Sequence, residues 1–377
     1  MPAFITQTGA HLPGPALDNE AIAERLGFLD ARSPRLKARI LRNNGIERRH
    51  YALDAEGRPT ESSAQMAAAA IRDAARDIEL SSVDLLACGT SIAEHLVPGH
   101  ASSVHGELGS HACEIVTTGG VCCAGMTALK YAAMAVGGGH ARRAVASGTE
   151  RTSAFLRQAH FGAELQARRV DEDDPYVGFD QSFLRWMLSD GAGAVLVENE
   201  PRPSGISLQI EWIELTSYAH ELPTCMYMGG ERTDEGGLKS MWDFEGMDAS
   251  LKKGLLNLHQ DVKLLGKHVV EAGARALART LEKHTLRADE VDFLLPHYSS
   301  EFFRDKTAAR LAEVGFAIPT EKWRSNLTSR GNTGCASIFI MLDELLRGDE
   351  LRPGHKVLLL VPESGRFSAT WALLTAR

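Results

Sequence analysis

Short, continuous apolar runs alternate along the chain with longer stretches in which apolar residues recur at helical spacing. The short runs are typical of buried strands and the longer stretches of helices that bury one face. Strands are predicted at 3–9, 83–90, 112–118, 143–149 and 206–216, and a tight turn at 189–195 leads into another that ends at Val197. Helices are predicted at 66–77 and 249–284, the second broken near Gly266. This alternation predicts mixed α/β layers.

Three further segments are interpreted from composition. Residues 151–187 are irregular and include the acidic run Asp171–Asp174, and an insertion of this length is usually a lid, a pocket wall or an interface segment. Residues 217–248 are rich in Gly, Met, Thr and Glu and are expected to form a loop. Near the N terminus, Asp18 or Asn19 is placed to cap a helix that runs through Leu29.

The second part of the chain repeats a pattern of the first. Val83–Leu86 resembles Val291–Leu294, Cys123–Met126 resembles Cys335–Ile338, and Arg143–Val145 resembles Lys356–Val357, at offsets of 208 to 212 residues. A nearly constant offset indicates an internal duplication of a strand–strand–helix–strand unit. We therefore expect two halves, 1–200 and 201–377, that pack face to face and bring equivalent turns together around one site.

Composition and charge exclude several classes of protein. The 377 residues are 44% hydrophobic and 24% charged, which is ordinary for a soluble globular chain, and the net charge of −8 argues against a nucleic-acid surface as the main function. Six cysteines in a chain of this length do not form a disulfide framework, residues 1–10 do not resemble a signal peptide, and no apolar run is long enough to span a membrane. A cytoplasmic location is expected.

The stretch Thr117–Lys130 is the first candidate for chemistry. Small residues and two glycines lead into Cys122 and Cys123, and an apolar helical stretch follows. A thiol at a helix N terminus lies near the positive end of the helix dipole and near unpaired N–H groups, both of which favour the nucleophilic thiolate of Cys123. The alternative is that both cysteines are small buried core residues.

Two turns of the second half supply partners for that thiol. His297 follows a buried strand, and Asn332 stands in a glycine-bounded turn before an apolar helix. A Cys, a His and an Asn at the ends of core elements make a nucleophile with two hydrogen-bonding groups. No metal site is expected, because the cysteines lack CxxC or His-x₃₋₅-His spacing, and the glycines fit no nucleotide-binding pattern.

As a set, several motifs resemble the thiolase superfamily, and within it the β-ketoacyl-acyl carrier protein synthase III group. The resemblance covers essentially the whole chain and is found in Gly45–Arg49, Cys123–Gly125, Asp190–Gly193, Pro296–His297 and Gly331–Thr333. It implies a five-layered αβαβα fold built from two duplicated halves, a homodimer, and a catalytic triad of Cys123, His297 and Asn332.

The resemblance also implies a chemistry. Cys123 takes an acyl group from a thioester of coenzyme A or of an acyl carrier protein, with its own N–H and that of Gly365 as the oxyanion hole. His297 and Asn332 then stabilise the enolate of a malonyl-type thioester as carbon dioxide leaves, and a 3-oxoacyl thioester forms. Coenzyme A or phosphopantetheine thioesters are thus substrates, and no permanently bound cofactor is expected.

Some residues depart from the synthase III pattern. Tyr298–Ser300 follows the catalytic His where Gln-Ala-Asn is usual, Ser364–Arg366 replaces three glycines, and Arg39 stands near the place of a Trp that stacks on adenine. The runs His297–Arg304 and Phe183–Asp190 are similar to a divergent branch that makes aryl polyenes, dialkylresorcinols and cyclohexanediones. A ring-forming condensing enzyme of secondary metabolism is therefore an alternative function.

Two further groups of residues have alternative interpretations. Glu150, at the end of a predicted core strand, is either a structural carboxylate paired with Arg151 or Arg157, or a second base that deprotonates an unactivated α-carbon. A basic cluster is either a solvated face or a docking patch for an acidic carrier protein or for coenzyme A, and consists of Arg39, Arg42, Arg48 and Arg49. An alternative of another class, a non-catalytic thiolase-fold partner subunit, is disfavoured because all three triad residues are present.

Overall fold

A mixed α/β architecture is seen in the computed structural model, which describes residues 1–27, 34–161 and 183–377. The strands are β1 (Phe4–His11), β2 (Leu17–Asp18), β3 (Arg48–Arg49), β4 (Leu85–Thr90), β5 (Glu114–Thr118), β6 (Arg143–Glu150), β7 (Gly191–Glu198), β8 (Leu208–Ser217), β9 (Met226–Tyr227), β10 (Gly230–Arg232), β11 (Leu238–Ser240), β12 (His259–Gln260), β13 (Phe293–Pro296), β14 (Lys356–Glu363) and β15 (Ser368–Ala376).

The helices lie between these strands. They are α1 (Ala21–Leu26), α2 (Pro34–Asn44), α3 (Ser63–Ala74), α4 (His100–Leu108), α5 (Cys123–Gly137), α6 (Ser153–Leu156), α7 (Met247–Lys252), α8 (Val262–Leu281), α9 (Arg304–Glu313), α10 (Leu327–Arg330) and α11 (Ser337–Arg347). Short 3₁₀ turns occur at Leu80–Ser82, Gln158–Phe161, Met241–Asp243, Ala288–Glu290, Glu301–Phe303, Thr320–Lys322 and Gly334–Ala336.

Nine strands form the central sheet, in the order β13-β14-β15-β8-β1-β7-β6-β4-β5. β4 pairs in parallel with β5 and β6, β14 pairs in parallel with β13, and the remaining neighbours are antiparallel. The two ends of the sheet have the same design. At one end β5 pairs in parallel with β4, and at the other a parallel bridge joins Trp323 to Leu294 of β13 in the equivalent position. The unit β4–β5–α5–β6 thus has its counterpart in β13–bridge–α11–β14.

Alternate side chains of each strand reach different helical layers, because successive strand residues point to opposite faces. In β4, Leu85 packs in the core around α5 and α11, whereas Leu86 packs with α3 and α4. In β14, Leu359 faces the same α5 and α11 core, whereas Leu360 packs against α8 and α9. The order of layers is therefore α3/α4, sheet, α5/α11, sheet, α8/α9, the five-layered αβαβα arrangement of the thiolase fold.

The turn before α11 approaches α5 and β6 very closely at two glycines. A Cβ atom at Gly125 of α5 would lie 2.5 Å from the carbonyl oxygen of Cys335, and one at Gly148 of β6 would lie 2.3 Å from it. Any side chain at either position would collide with backbone. These glycines let the turn before α11, which contains Asn332, lie against the turn that begins α5.

Several predicted elements differ from those found. The segment 217–248, expected to be a loop, contains β9, β10 and β11. The predicted helix at 249–284 is interrupted between α7 and α8, but α8 runs unbroken through Gly266. The interruption lies there because Gly254 adopts a φ of +67° and the Asp261 carboxylate caps α8 by accepting the N–H of Leu264 at 2.9 Å.

The N-terminal helix begins as predicted but ends early. Asp18 Oδ1 accepts the N–H groups of Glu20 and Ala21 at 3.0 and 2.9 Å, and α1 ends at Leu26. Leu29 lies outside the described residues, as do most of the predicted insertion and its acidic run Asp171–Asp174. Among the helices that the structure describes, none combines the length and apolarity needed to cross a bilayer.

Candidate active site

The turn between β5 and α5 holds Cys123 in a dense set of hydrogen bonds. The N–H groups of Val121 and Cys123 both donate to Oε2 of Glu363, each at 3.0 Å. The Cys123 thiol donates to the carbonyl oxygen of Val361 at 3.3 Å and accepts from the Thr370 hydroxyl at 3.3 Å. The thiol is thereby directed towards β14 and β15.

The environment of the two neighbouring thiols does not favour their ionised form. Burial raises the pKa of both Cys122 and Cys123 well above the usual value, and the carboxylate of Glu363 raises the pKa of each further. The expectation that the helix N terminus stabilises a Cys123 thiolate is therefore wrong for this state. The first reason is that the sulfur is buried, and the second is that the Glu363 carboxylate lies beside it and occupies the N–H groups of Val121 and Cys123.

His297 follows β13 directly, and its backbone N–H donates to the carbonyl oxygen of Leu360 in β14 at 2.8 Å. This bond joins β13 to β14 at the point where the imidazole begins. The side chain is 4% exposed, and burial lowers the pKa of His297 to about 4. The ring is consequently neutral near pH 7, with one nitrogen as a hydrogen-bond donor and the other as an acceptor.

Asn332 is held at the start of the turn before α11. Its backbone N–H donates to the carbonyl of Met187 at 3.1 Å, and its own carbonyl accepts from the N–H of Ser189 at 2.9 Å. Its side-chain Oδ1 accepts from the N–H of Gly334 at 2.9 Å. Because the oxygen end is committed to that bond, the Nδ2 amide is the end of Asn332 that is able to donate to a ligand.

Two adjoining cavities bring these elements together. A large cavity of about 520 Å³ is lined by Asn332, and a small one of about 40 Å³ is lined by His297. Both are also lined by Cys122, Ser299 and Ser364, so the two predicted partners open onto a shared wall. Cys123 is not among the lining residues of either cavity, because its thiol is turned towards Val361 and Thr370.

The large cavity is mainly apolar, with several buried polar groups in its wall. Its lining includes four methionines and four leucines, at Met187, Met226, Met228, Met241, Leu96, Leu188, Leu256 and Leu258. Glu150 and Gln260 line it as well, and Oε1 of Gln260 has no hydrogen-bond partner among the described residues. Such a cavity suits an apolar chain that also presents a polar group to these two side chains.

Glu150, one of these polar groups, makes no ion pair with a neighbouring arginine in the described structure. Its Oε1 accepts from the N–H of Cys335 at 3.1 Å and from both the N–H and the hydroxyl of Ser91. Arg151 instead pairs with Glu94. Burial raises the pKa of the Glu150 carboxyl, and the hydrogen bonds oppose that rise. Arg157 donates to the Gly57 carbonyl and contacts the His160 ring. The structural alternative of a Glu150 pair with Arg151 or Arg157 is therefore wrong.

One of the two predicted oxyanion-hole donors is occupied in this structure, because the Cys123 N–H donates to Glu363. The Gly365 turn is held by its carbonyl, which accepts the N–H groups of Cys225 and Met226 at 2.9 and 3.2 Å. The expectation of a free Cys123 N–H fails because this chain has a glutamate, Glu363, just before the turn Ser364–Arg366. The departure of that turn from three glycines was recognised in the sequence, but the carboxylate was missed; its signal was a lone acid after the apolar run 357–361.

Three of the four arginines of the predicted docking patch lie on the surface. Arg39 and Arg42 are exposed on α2, and Arg48 is exposed on β3. Arg49 is fully buried, with Nη1 donating to Asn19 Oδ1 at 2.6 Å and Nη2 donating to the Trp186 carbonyl. Its assignment to a docking surface is wrong, because a guanidinium with these partners holds the core together and contacts no solvent.

Comparisons with known proteins place these features in context. The family described as 3-Oxoacyl-[acyl-carrier-protein (ACP)] synthase III C terminal matches residues 281–372. The β-ketoacyl-[acyl-carrier-protein] synthase III of Methylococcus capsulatus is 26% identical over 361 residues, which is 94% of this chain and 93% of that protein. The synthase III of a Nostoc species is 27% identical over 93% of this chain and 91% of that protein.

Solved structures share the fold over the full length. AbyA1, a tetronic acid condensing enzyme, superposes with a TM-score of 0.76 at 20% identity and covers 100% of both chains. The synthase III FabH of Pseudomonas aeruginosa PAO1 superposes with a TM-score of 0.71 at 22% identity over 99% of this chain and 98% of that one. The similarity extends across both halves of the sheet.

Proposed function

Because this chain is a synthase III-like condensing enzyme of the thiolase superfamily, we propose that it joins two acyl thioesters through an acyl group carried on Cys123. The thiol displaces the first thioester's leaving thiol, which forms the acyl-cysteine. A malonyl-type thioester then loses carbon dioxide, and its enolate carbon attacks the acyl-cysteine to give a 3-oxoacyl thioester. The supporting observation is that Cys122, next to Cys123, lines both the cavity of His297 and that of Asn332.

The surroundings of His297 and Asn332 suit the second of these steps. A buried, neutral His297 offers an N–H donor without releasing a proton that would quench the carbanion. Asn332 offers its Nδ2 amide, because Oδ1 accepts from Gly334. Together the two side chains donate to the thioester oxygen on which the enolate charge develops.

The direction of the Cys123 thiol sets a requirement for the first step. In the described structure the sulfur lies between the Val361 carbonyl and the Thr370 hydroxyl. Acylation therefore requires a change of side-chain rotamer that turns the sulfur towards the wall lined by Cys122. The motif position directly before Ala124–Gly125 supports Cys123 over Cys122 as the nucleophile.

Substrate delivery and assembly are part of the proposal. Substrates arrive as thioesters of coenzyme A or of phosphopantetheine on an acidic acyl carrier protein, in the cytoplasm, and no cofactor is permanently bound. Arg39 and Arg42 support docking near the site because they lie on α2. The end of that helix contacts the segment after His297, where the Ser300 hydroxyl donates to the Asn43 carbonyl at 3.1 Å. A homodimer is supported by the exposed Leu96, which is 77% accessible and lines the large cavity.

One experiment tests the function and the roles together. The protein is incubated with acetyl and octanoyl thioesters of coenzyme A and of an acyl carrier protein, and the bound acyl group is located by intact mass and peptide mapping. We expect acylation on Cys123, its loss in Cys123→Ser and its retention in Cys122→Ser. His297→Ala and Asn332→Ala should still acylate but condense about 10²–10³-fold more slowly.

Each alternative gives a distinct result in that experiment. Label confined to Cys122 would show that the nucleophile is shifted by one residue. Failure of folded His297→Ala or Asn332→Ala to acylate would contradict the roles given to them. No acyl transfer from any thioester would favour the non-catalytic partner subunit over an enzyme.

A ring-forming condensation is the second candidate function. The observation that favours it is the carboxylate of Glu150 in the wall of the large cavity. This carboxylate is held by Ser91 and the Cys335 N–H and is not paired with Arg151. With its pKa raised by burial, Glu150 is a stronger base than an exposed glutamate. Such a base is able to remove a proton from an unactivated α-carbon, which closure of a carbocycle requires.

A further inference from the structure

Glu363 presents a half-buried carboxylate to the nucleophile turn, where the resemblance leads one to expect only backbone donors. It is the last residue of β14, and its Oε2 accepts the N–H groups of Val121 and Cys123 at 3.0 Å each. Its Oε1 lies 3.5 Å from the point where a Cβ atom would stand on Gly365. The carboxylate therefore fills the space between the two turns proposed to form the oxyanion hole.

The charge of Glu363 bears directly on the thiol chemistry. Its charge acts on the thiols of Cys122 and Cys123 in the turn. Glu150 and His297 line the two cavities that Cys122 also lines. His297 is neutral, so no cation among these groups balances a second negative charge. A thiolate beside an ionised Glu363 would place two anions in one buried site, which is strongly unfavourable.

We propose that Glu363 is the general base of the acylation step: it takes the proton of the Cys123 thiol, and its neutralisation releases the N–H groups of Val121 and Cys123 to the substrate. This inference rests on the proposed acyl transfer to Cys123. Moving a proton from the thiol to the carboxylate leaves one negative charge in the site throughout, so the penalty for two buried anions is avoided. Glu363 thereby both closes the oxyanion hole in the resting enzyme and opens it when a nucleophile forms.

The bonds and protons of the step balance. Once the rotamer change has taken the Cys123 thiol away from the Val361 carbonyl, its proton passes to the Glu363 carboxylate. The sulfur bonds to the thioester carbon, whose oxygen becomes an anion. A protonated carboxyl is a weaker acceptor than a carboxylate, so the two N–H groups can donate to that oxyanion instead. When the tetrahedral intermediate collapses, the carbon–sulfur bond to the carrier breaks, and the leaving thiolate takes the proton back from Glu363.

The competing interpretation is that Glu363 only caps the N terminus of α5, as acidic side chains commonly do. The two interpretations differ for Glu363→Gln, whose amide oxygen can still accept the two N–H groups but carries no charge and is no base. A cap alone predicts little change in the chemistry of the sulfur. If Glu363 is a general base, the reactivity of Cys123 towards a thioester falls in Glu363→Gln, while the tendency of the thiol to ionise rises.

The test measures both properties at Cys123 in wild type and Glu363→Gln. Single-turnover acylation by octanoyl-coenzyme A, or by octanoyl-carrier protein if coenzyme A is not used, is expected to fall about 10²–10⁴-fold in Glu363→Gln. Alkylation by iodoacetamide, read at Cys123 by peptide fragmentation, should shift its midpoint to lower pH, because the neighbouring negative charge is gone. The matched control is Glu198→Gln, which should leave the acylation rate and the alkylation midpoint unchanged. The Glu198 carboxylate is bonded to Thr6 and Arg143 at the far end of β7.

Wild-type protein alone provides a second measurement in case Glu363→Gln does not fold. With a carboxylate base, the acylation rate should level off once Glu363 is ionised. If the thiolate formed unaided were the nucleophile, the rate would keep rising through the raised pKa of Cys123, well above its usual value of 9.0. A rate that rises steadily to high pH overturns the proposal.

The remaining outcomes are equally decisive. Equal acylation rates in Glu363→Gln and wild type would refute the base, while leaving the proposed function intact. An unchanged alkylation midpoint would show that the carboxylate does not act on the sulfur. Absence of acylation in wild type with every thioester would remove the proposed function, and this inference with it.

Discussion

Replacing His297 by Asn should make the free energy of unfolding less sensitive to acid. Burial lowers the pKa of His297 from 6.5 to about 4 in the folded chain. Below pH 6.5 the unfolded chain therefore binds a proton at His297 that the folded chain does not bind. The free energy of unfolding consequently decreases as the pH falls from 6.5 towards 4. The two pKa values differ by about 2.5, which corresponds to about 3.4 kcal/mol when fully developed and to about 2 kcal/mol at about pH 5.

The assay is urea unfolding of wild type and His297→Asn at about pH 7.5 and about pH 5. The stability difference between the two proteins at the higher pH includes packing changes, so only its change with pH is used. Carboxyls whose pKa is raised in the folded chain, among them Glu150 and Glu363, gain protons on folding in acid and act in the opposite direction. They are present in both proteins and cancel.

The expected result is that His297→Asn gains about 2 kcal/mol relative to wild type on going to about pH 5. His140→Asn, at an exposed histidine, is the matched control and should show no comparable gain. A relative change near zero for His297→Asn would mean that His297 titrates as an exposed histidine does. In that case the proposed role of His297 as a neutral donor at the enolate would lose its physical basis.

Two further predictions concern substrate delivery and ring closure. Arg39→Glu with Arg42→Glu should raise the KM for carrier-bound substrate and weaken the salt dependence of that KM, while turnover of a short thioester mimic barely changes. Steady-state kinetics at two ionic strengths measures both, with Arg142→Glu, at another exposed arginine, as the control. An equal loss of activity with both substrates would contradict docking. Glu150→Gln should leave formation of a linear 3-oxoacyl product intact but abolish any cyclic product seen by mass spectrometry, and persistence of the cyclic product would exclude Glu150 as the second base.

The local pattern of the chain was enough to place most of the core. The strand predicted at 143–149 is found at Arg143–Glu150, and the helix predicted to follow the cysteine turn begins at Cys123. These predictions succeed because burial of one strand face or one helix face leaves a short-range period in the sequence. The motif resemblance also selected His297 and Asn332, whose turns both open onto cavities that share a wall.

Errors arose where short segments depend on contacts that the local pattern does not contain. β9, β10 and β11 are two or three residues long and lie in a segment that looked like loop, since runs so short have no readable period. The break before α8 was misplaced at Gly266, because a glycine inside a helix is tolerated, whereas the cap at Asp261 sets where the helix starts.

The electrostatics of the site was decided only by tertiary structure. The sequence places Cys123 at a helix N terminus and predicts a thiolate, but Glu363, 240 residues away, takes the N–H groups there. Arg49 looked like part of a surface cluster, yet it is buried against Asn19 and the Trp186 carbonyl. The chain by itself determines which residues form the turns, because that depends on neighbours in sequence. Which charges face those turns depends on how the two halves pack, and a pKa responds to everything within a few ångströms, however distant along the chain.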